Sequence, residues 1–160
     1  MKQLWAPWRS EYITTGPTQG CLFCTAHSGE ANDGLMLFNG HISMVMLNKY
    51  PYNNGHLMIA PSRHVAKFDE LNPEESIDTF RLLRHCIAVL QKTLKPDGFN
   101  IGINLGRAAG AGIEDHMHWH VVPRWNGDAN FMPIVAEVKA IPQHLKETHS
   151  MLLPFFDRLS

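Results

Sequence analysis

The chain has 160 residues, of which 44% are hydrophobic and 18% are charged, and its formal net charge is -1. This length and composition predict one globular domain, residues 1–160, with a sizeable apolar core. The near-neutral charge argues against a dedicated nucleic-acid or membrane-surface binder, and no apolar run reaches the roughly 18 residues of a membrane helix.

The first part of the chain predicts an irregular segment followed by three strands. Prolines and glycines recur through residues 1–34, so no regular element is expected there. Residues 35–38 and 41–47 are typical of strands, and Asn39-Gly40 between them is typical of a two-residue hairpin turn. After a polar loop, the apolar run of residues 56–60 predicts a third strand.

The clearest helix is predicted after Asn72. This asparagine can cap the helix, Pro73 suits its first turn, and Glu75 completes the spacing of a capping box. Apolar residues then recur at helical spacing until Pro96-Asp97-Gly98 ends the run; they are Ile77, Phe80, Leu83, Ile87, Leu90 and Leu94. We expect Cys86, which falls within this helix, to be a small buried hydrophobic residue.

Two more strands and a second helix complete the predicted elements. The strands are residues 99–105 and 116–122, and a shorter helix is expected between Pro142 and Leu153. Short links between strands favour antiparallel pairing, with the helices packed on the sheet. The predicted fold class is therefore α+β, with a five-stranded antiparallel sheet, one long helix and a shorter C-terminal helix.

Three histidines alternate with apolar residues in His116-Met117-His118-Trp119-His120. On a strand, His116, His118 and His120 would project to one side, and the residues between them would face the core. Three imidazoles in a row can bind a metal, bind phosphate, or supply a nucleophile with its helpers. Solvated histidines or an ordinary metal site are the alternative interpretation. The strict alternation with apolar partners favours a functional site.

A glycine-rich stretch, residues 106–112, lies between the fourth and fifth predicted strands. Glycine allows sharp turns and close approach to a ligand, so amide N–H groups there can point at phosphate oxygens. A merely flexible connection is the simpler interpretation of such a stretch. Its place directly before the histidine strand favours a nucleotide site.

The three histidines, each followed by an apolar residue, resemble the signature of the histidine triad (HIT) family of nucleotide hydrolases and transferases. The resemblance extends through residues 51–64 and Asn104-Leu105-Gly106, and spans residues 4 to 132 approximately. Residues 4–13 and 122–128 are similar to a branch that includes bacterial diadenosine tetraphosphate phosphorylases or hydrolases. Membership implies the HIT-like form of the antiparallel sheet and, commonly, a homodimer.

The resemblance also implies roles for single residues. His118 would be the nucleophile that forms a covalent nucleotidyl-histidine, His120 would bind the phosphate or leaving group, and His56 would be a fourth histidine at the same site. Asn48 stands at a ribose-binding position, and further substrate contacts are expected from Asn104, Gly110, Ala111, Gly112 and His120. No organic cofactor is implied.

The sequence departs from the family pattern at Ile113, where some members carry a hydroxyl residue. This departure leaves open how the leaving group is held and whether water or phosphate is the acceptor. The expected substrate is a nucleotide or a dinucleoside polyphosphate, with a slight preference for the phosphorylase-like branch. The alternatives are a nucleoside phosphoramidate hydrolase, a non-catalytic nucleotide-binding sensor, and a small interaction domain held together by zinc.

Two of the three cysteines stand at C-x-x-C spacing, as Cys21 and Cys24. This spacing suits zinc, and a redox role is less favoured because no βαβ pattern surrounds it. The resemblance implies His64 and His116 as the other two ligands, and His27 is the local alternative. A structural zinc ion would tie residues 1–34 to the histidine strand. Three cysteines without a disulfide framework, and a first segment without an apolar signal core, favour a cytoplasmic protein.

Overall fold

The computed structural model describes residues 20–30, 34–128, 143–157 and 159. Residues 1–19, for which an irregular backbone is predicted, lie outside this part of the chain. Within the described ranges, every helix is too short or too polar to span a bilayer.

The core of the fold is one antiparallel sheet of five strands. In chain order the strands are β1 (Met36–Asn39), β2 (Ser43–Leu47), β3 (Leu57–Pro61), β4 (Gly98–Ile103) and β5 (Trp119–Arg124). Their spatial order is β1-β2-β3-β5-β4. The α+β prediction with a five-stranded antiparallel sheet is therefore confirmed, and β4 lies at one end of the sheet.

The connection between β1 and β2 is longer than predicted. Residues 40–42 join the strands, and Gly40 N–H donates to the Ser43 carbonyl at 3.1 Å. A Cβ at Gly40 would lie 2.5 Å from both the Phe38 ring and that carbonyl oxygen. The prediction of a two-residue turn at Asn39-Gly40 is thus wrong. The close approach of Phe38 and Ser43 nevertheless requires glycine at position 40.

Within the described ranges, three α-helices accompany the sheet: α1 (Leu22–Ser28), α2 (Pro73–Thr93) and α3 (Leu145–Leu152). Single 3-10 turns lie at Phe68–Glu70, Arg107–Ala109 and Leu153–Phe155. The capping box of α2 is confirmed, because the Asn72 side chain accepts from Glu75 N–H at 2.8 Å and the Glu75 carboxylate accepts from Asn72 N–H at 2.9 Å. The shorter C-terminal helix is confirmed as α3.

Helix α2 packs on β2, β3 and β5 through only part of its apolar sequence. Its buried apolar side chains are Leu82, Leu83, Cys86, Val89 and Leu90. The predicted burial of Cys86 is confirmed. By contrast, Ile77 is 71% exposed and Phe80 is 54% exposed. Helical spacing therefore identified the element, while the outer side of α2 retains two large apolar residues.

Helix α1 lies in the segment that was expected to be irregular. Its N-cap, Cys21, makes no side-chain capping bond, and Gly29 ends it with a φ of 79°. So short a helix is unstable alone and forms here because Phe23 and Ala26 are buried against the core. The long-range origin of this stability explains why local sequence signals did not predict α1.

Candidate active site and metal cluster

The histidine segment is divided between a loop and a strand. β5 begins at Trp119, which pairs with Ile59 of β3 and Ile103 of β4. Ahead of it, Met117 N–H donates to the Val65 carbonyl at 2.8 Å, past the end of β3. The predicted strand start at position 116 is therefore wrong, because the pairing of β5 begins at Trp119 and Met117 N–H bonds to a loop.

His118 is a buried imidazole whose orientation is set by the backbone. Its Nδ1 lies 2.9 Å from the His116 carbonyl oxygen, which can only accept, so His118 Nδ1–H is the donor. Burial lowers the pKa of His118 below its ordinary value and keeps the ring neutral. Its other nitrogen, Nε2, then carries a lone pair. An oriented neutral imidazole with a free nitrogen is suited to nucleophilic attack.

His56 and His120 form a hydrogen-bonded pair. Tyr52 N–H donates to His56 Nδ1 at 3.0 Å, so the proton of the neutral His56 ring is on Nε2. That Nε2–H donates to His120 Nδ1 at 2.9 Å, which leaves the proton of His120 on its own Nε2. Burial, followed by the nearby histidines, lowers the pKa of His56 to about 3 and that of His120 to about 4. Both rings are therefore neutral near pH 7.

The structure brings these three histidines into one cluster. The ring centroids of His118 and His120 are 4.8 Å apart, and those of His56 and His120 are 5.1 Å apart. The Tyr52 ring, 51% exposed, lies 4.7 Å from His56 and 5.7 Å from His120. The His118 ring, which carries a nitrogen lone pair, thus packs against the His120 ring, which carries an N–H donor, and the Tyr52 ring covers His56 and His120.

Asn48, the expected ribose-binding residue, lies beside this cluster. Its Nδ2 is 3.3 Å from His56 Nδ1, and its Oδ1 accepts from Tyr50 N–H at 2.9 Å. The Asn48 side chain is therefore within reach of the pair formed by His56 and His120.

Asn104 and the glycine-rich loop lie at the start of β5. Ile103 pairs with Trp119, so Asn104 follows β4 at the level where His118 precedes β5. Asn104 Nδ2 donates to the Gly110 carbonyl at 3.4 Å. Two expected phosphate donors already bond within the loop: Gly110 N–H donates to the Arg107 carbonyl at 2.9 Å, and Ala111 N–H donates to the Gly106 carbonyl at 3.3 Å. Gly112 is exposed, with open space where a Cβ would stand.

A second cluster joins α1 to the histidine segment. One ligand atom from each of its four residues lies within 4.8 Å of all the others; the residues are Cys21, Cys24, His64 and His116. His116 Nε2–H donates to the Pro61 carbonyl at 2.9 Å, which leaves a lone pair on Nδ1, 3.2 Å from Cys21 Sγ. His64 Nδ1 is 3.3 Å from Cys24 Sγ. Two sulfurs and two imidazole nitrogens at these distances fit a tetrahedral zinc ion.

His27, the local alternative ligand, lies outside the cluster. His27 Nδ1 donates to Asn39 Oδ1 at 2.6 Å, and Asn39 Nδ2 donates to the His27 carbonyl at 3.0 Å. This reciprocal pair holds the end of α1 against β1, and His27 is not among the four residues of the cluster.

Sequence reasoning missed two residues that touch the candidate site. Phe23 is fully buried, and its ring centroid lies 4.9 Å from that of His118. Phe23 is a spacer in C-x-x-C, so the spacing carries no signal for it. Tyr52 acts through its backbone N–H, which every residue except proline offers, and only its place in the family-like segment 51–64 points to the site.

Comparisons with known proteins agree with this geometry. Residues 29–127 match the HIT domain. The AP-4-A phosphorylase of Mycobacterium tuberculosis is 37% identical over 161 residues, covering 95% of this chain and 83% of the relative. An adenosine 5'-monophosphoramidase of Schizosaccharomyces pombe is 30% identical over 106 residues, covering 66% of this chain and 75% of the relative.

A solved structure has the same fold and carries a metal. The crystal structure of a Zn-bound histidine triad family protein from Mycobacterium smegmatis aligns with a TM-score of 0.71 at 26% identity. The alignment covers 89% of this chain and 97% of that one. With the HIT domain matching residues 29–127 and a relative at 37% identity over most of the chain, this protein belongs to the HIT domain family.

Proposed function

We propose that the protein cleaves dinucleoside polyphosphates such as diadenosine tetraphosphate by phosphorolysis, through a covalent nucleotidyl-His118. The observation that carries this proposal is the orientation of His118, whose Nδ1–H is bonded to the His116 carbonyl at 2.9 Å. That bond leaves the reactive lone pair on Nε2 of a ring whose centroid lies 4.8 Å from that of the His120 ring. The similarity to AP-4-A phosphorylase supports this substrate class.

In the first step, His118 Nε2 attacks the α-phosphorus of the substrate. A nitrogen–phosphorus bond forms while the phosphorus–oxygen bond to the leaving nucleotide breaks. The leaving nucleotide departs as a phosphate oxyanion, which needs no added proton. The modified His118 ring becomes cationic, and its Nδ1–H bond to the backbone stabilises that charge. His120 Nε2–H donates to the phosphate oxygens as negative charge builds on them.

In the second step, an acceptor oxygen attacks the phosphorus, the nitrogen–phosphorus bond breaks, and neutral His118 is restored. Inorganic phosphate brings an anionic oxygen, whereas water has to lose a proton. His120 is a weak base at neutral pH, because its pKa is about 4 and its Nε2 already carries a proton. This environment favours phosphate over water as the acceptor.

Hydrolysis of nucleoside phosphoramidates is the second candidate, and the similarity to an adenosine 5'-monophosphoramidase favours it. An amine leaving group has to gain a proton as the phosphorus–nitrogen bond breaks. The neutral His56 and His120 pair, with pKa values of about 3 and about 4, is poorly suited to supply one at neutral pH. This chemistry ranks phosphoramidates below polyphosphates.

We assign the remaining substrate contacts as part of the same proposal. Asn48 would bind ribose hydroxyls, supported by its position beside His56. Asn104 and the glycine-rich loop would bind the phosphates. Gly112 offers an open approach, while Gly110 and Ala111 would exchange their bonds within the loop for bonds to phosphate oxygens.

We also propose that Cys21, Cys24, His64 and His116 hold a structural zinc ion. The two sulfurs and two imidazole nitrogens are the donor set that tetrahedral zinc prefers, and the similarity to a Zn-bound relative agrees. When bound, zinc would supply a cross-link between α1 and the histidine segment. The proposed reaction itself uses neither this metal nor an organic cofactor.

The implied homodimer is a further part of the proposal. β4 lies at one end of the strand order, and an end strand can pair with a second copy. Exposed apolar residues accompany it: Ile101 on β4, Leu105 just after it, and Phe80 on α2. Phe80 lies 5.7 Å from the ring of Trp119, which pairs with Ile103 of β4. The exposed apolar residues of α2 and of the β4 edge thus provide an apolar surface that we propose a second copy covers.

The test of the proposed reaction is a product analysis. Purified protein is incubated with diadenosine tetraphosphate, with and without inorganic phosphate, and the nucleotides are separated. ADP plus ATP that appears only with phosphate would support phosphorolysis. AMP plus ATP without added phosphate would replace it with hydrolysis. No turnover of the polyphosphate, with release of AMP from adenosine phosphoramidate, would favour the second candidate.

A further inference from the structure

Phe23, in the segment that carries the two cysteines, places its aromatic ring against that of His118, the expected nucleophile. It lies between Cys21 and Cys24 on α1 and is fully buried. Its ring centroid is 4.9 Å from that of His118, with 38° between the planes, and 5.0 Å from that of His116. One side chain of the N-terminal helix therefore contacts both the expected nucleophile and an expected metal ligand.

The contact with Phe23 does something that the hydrogen bond of His118 cannot do alone. The bond from Nδ1–H to the His116 carbonyl fixes one nitrogen of the ring. Coupled changes in the side-chain torsion angles χ1 and χ2 can keep that bond and still move the opposite nitrogen, Nε2. Ring contacts restrict this movement, and His118 makes them with Phe23 and with His120, at centroid distances of 4.9 and 4.8 Å.

Phe23 is itself held from both ends of its helix. At the start of α1, the two cysteines flank it in the metal cluster. Near the end of α1, the reciprocal hydrogen bonds between His27 and Asn39 fix the helix to β1. The ring is therefore anchored from both directions, which is what a rigid support for a neighbouring imidazole needs.

We infer that Phe23 is a positioning residue that holds the His118 ring so that Nε2 points at the substrate. This inference rests on the proposed function, because it takes His118 as the nucleophile. It links the metal cluster to the reaction mechanically: the cysteines position α1, α1 positions Phe23, and Phe23 positions the ring of His118.

The test compares Phe23→Leu with a matched variant, Phe156→Leu. Phe156 is equally buried, but its ring packs 5.1 Å from that of His85, a histidine outside the candidate site. Both variants lose an aromatic ring from the core. For Phe23→Leu we expect kcat to fall by about 10- to 100-fold while KM stays within about threefold, because misplacement of a reacting atom chiefly affects the chemical step. Phe156→Leu should keep the kcat of the unmodified protein.

A second readout is independent of turnover. Heteronuclear NMR of the imidazole nitrogens reports the tautomer of each histidine, and the signals of His118 are those lost in His118→Ala. We expect the Nδ1–H tautomer for His118 in all three proteins, because the bond to the His116 carbonyl is kept. The His118 ring signals should be sharp in the unmodified protein and in Phe156→Leu, and broadened by exchange in Phe23→Leu, where the ring samples several orientations. Phe23→Met takes the place of the leucine variant if that variant does not fold.

The inference needs both the selective loss of kcat and the altered His118 signals in Phe23→Leu, and absence of either overturns it. Full activity of His118→Ala would instead overturn the proposed function. Because the NMR comparison does not depend on catalysis, the two failures can be told apart.

Discussion

His56 determines which nitrogen of His120 carries the proton. The His56 Nδ1 accepts from Tyr52 N–H at 3.0 Å, so its Nε2–H is the donor toward His120 Nδ1, 2.9 Å away. With Nδ1 of His120 accepting, its Nε2–H is the donor of that ring, which we propose binds a phosphate oxygen. A backbone amide thus sets the donor direction of a ring two hydrogen bonds away.

Removing the His56 side chain, which donates to His120, should slow the reaction without preventing substrate binding. His56→Leu leaves His120 free to carry its proton on either nitrogen, and we expect kcat to fall by about tenfold or more, as for other residues that orient a functional histidine. His56→Gln retains an amide donor that can reach His120, so it should keep more activity than His56→Leu. Steady-state kinetics of both variants test this, and equal activity in the two would contradict the role assigned to His56.

The covalent intermediate should be isolable on His118. Protein quenched during turnover of diadenosine tetraphosphate should carry one nucleotidyl group, observed by intact mass spectrometry and lost in acid, because phosphorus–nitrogen bonds are acid-labile. His118→Ala should show no adduct and at least a 1000-fold loss of kcat, on the order seen when a nucleophile is removed. His85→Ala, a histidine outside the site, is the control and should form the adduct. An adduct in His118→Ala would show that another residue is the nucleophile.

The lowered pKa values of His56 and His120 make stability depend on pH. In the unfolded chain both titrate near pH 6.5, whereas in the folded protein they stay neutral down to about 3 and about 4. Below pH 6.5 the unfolded state therefore binds more protons, so stability present above that pH is lost as the pH falls toward the folded values.

Urea unfolding from about pH 7 to about pH 4.5 measures this linkage, in which each such group contributes a slope of up to about 1.4 kcal/mol per pH unit. His120→Gln removes one titrating group, so its free energy of unfolding should fall less steeply with acidification. The two proteins share all four expected metal ligands, so effects of metal release cancel in the comparison. Parallel pH profiles would show that His120 is not held neutral in the folded state.

Local signals predicted the fold well, and long-range contacts account for what they missed. The capping box at Asn72 and the short apolar runs of the strands are short-range patterns, and the structure has the corresponding elements. Helix α1 depends on burial of Phe23 by residues distant in sequence. The strand start at position 116 failed because Met117 N–H bonds to Val65 and not to a neighbouring strand.

In the candidate site, too, short-range patterns were predictable from the sequence and long-range contacts were not. Alternation in residues 116–120 identified the histidines, but the tautomers depend on Tyr52 and on the His116 carbonyl, which spacing cannot show. His64 and His116 lie 40 and 92 residues from Cys24, so the four-residue cluster was expected only through resemblance to the family.

Metal content should depend on His64 and not on His27. His64→Gln removes an expected ligand, so bound zinc should be lost and the Tm should fall by about 5 °C or more, since a structural ion contributes directly to folding free energy. His27→Gln breaks the contact with Asn39 and leaves the four-residue cluster intact, so it should retain zinc. Elemental analysis and thermal unfolding of both variants test this. If His64→Gln retained zinc and His27→Gln lost it, His27 and not His64 would be the zinc ligand.

The exposed apolar surface across α2 and β4 should mediate self-association. Phe80 is a large apolar residue on that surface, so Phe80→Glu would introduce a charge that repels the same residue of a second copy or remains buried without a partner. We expect the unmodified protein to be a dimer and Phe80→Glu to be a monomer, as measured by size-exclusion chromatography with light scattering. Gln91→Glu adds the same charge at an exposed position near the other end of α2 and should remain a dimer. A monomeric unmodified protein would exclude the dimer, and a dimeric Phe80→Glu would place the interface on another surface.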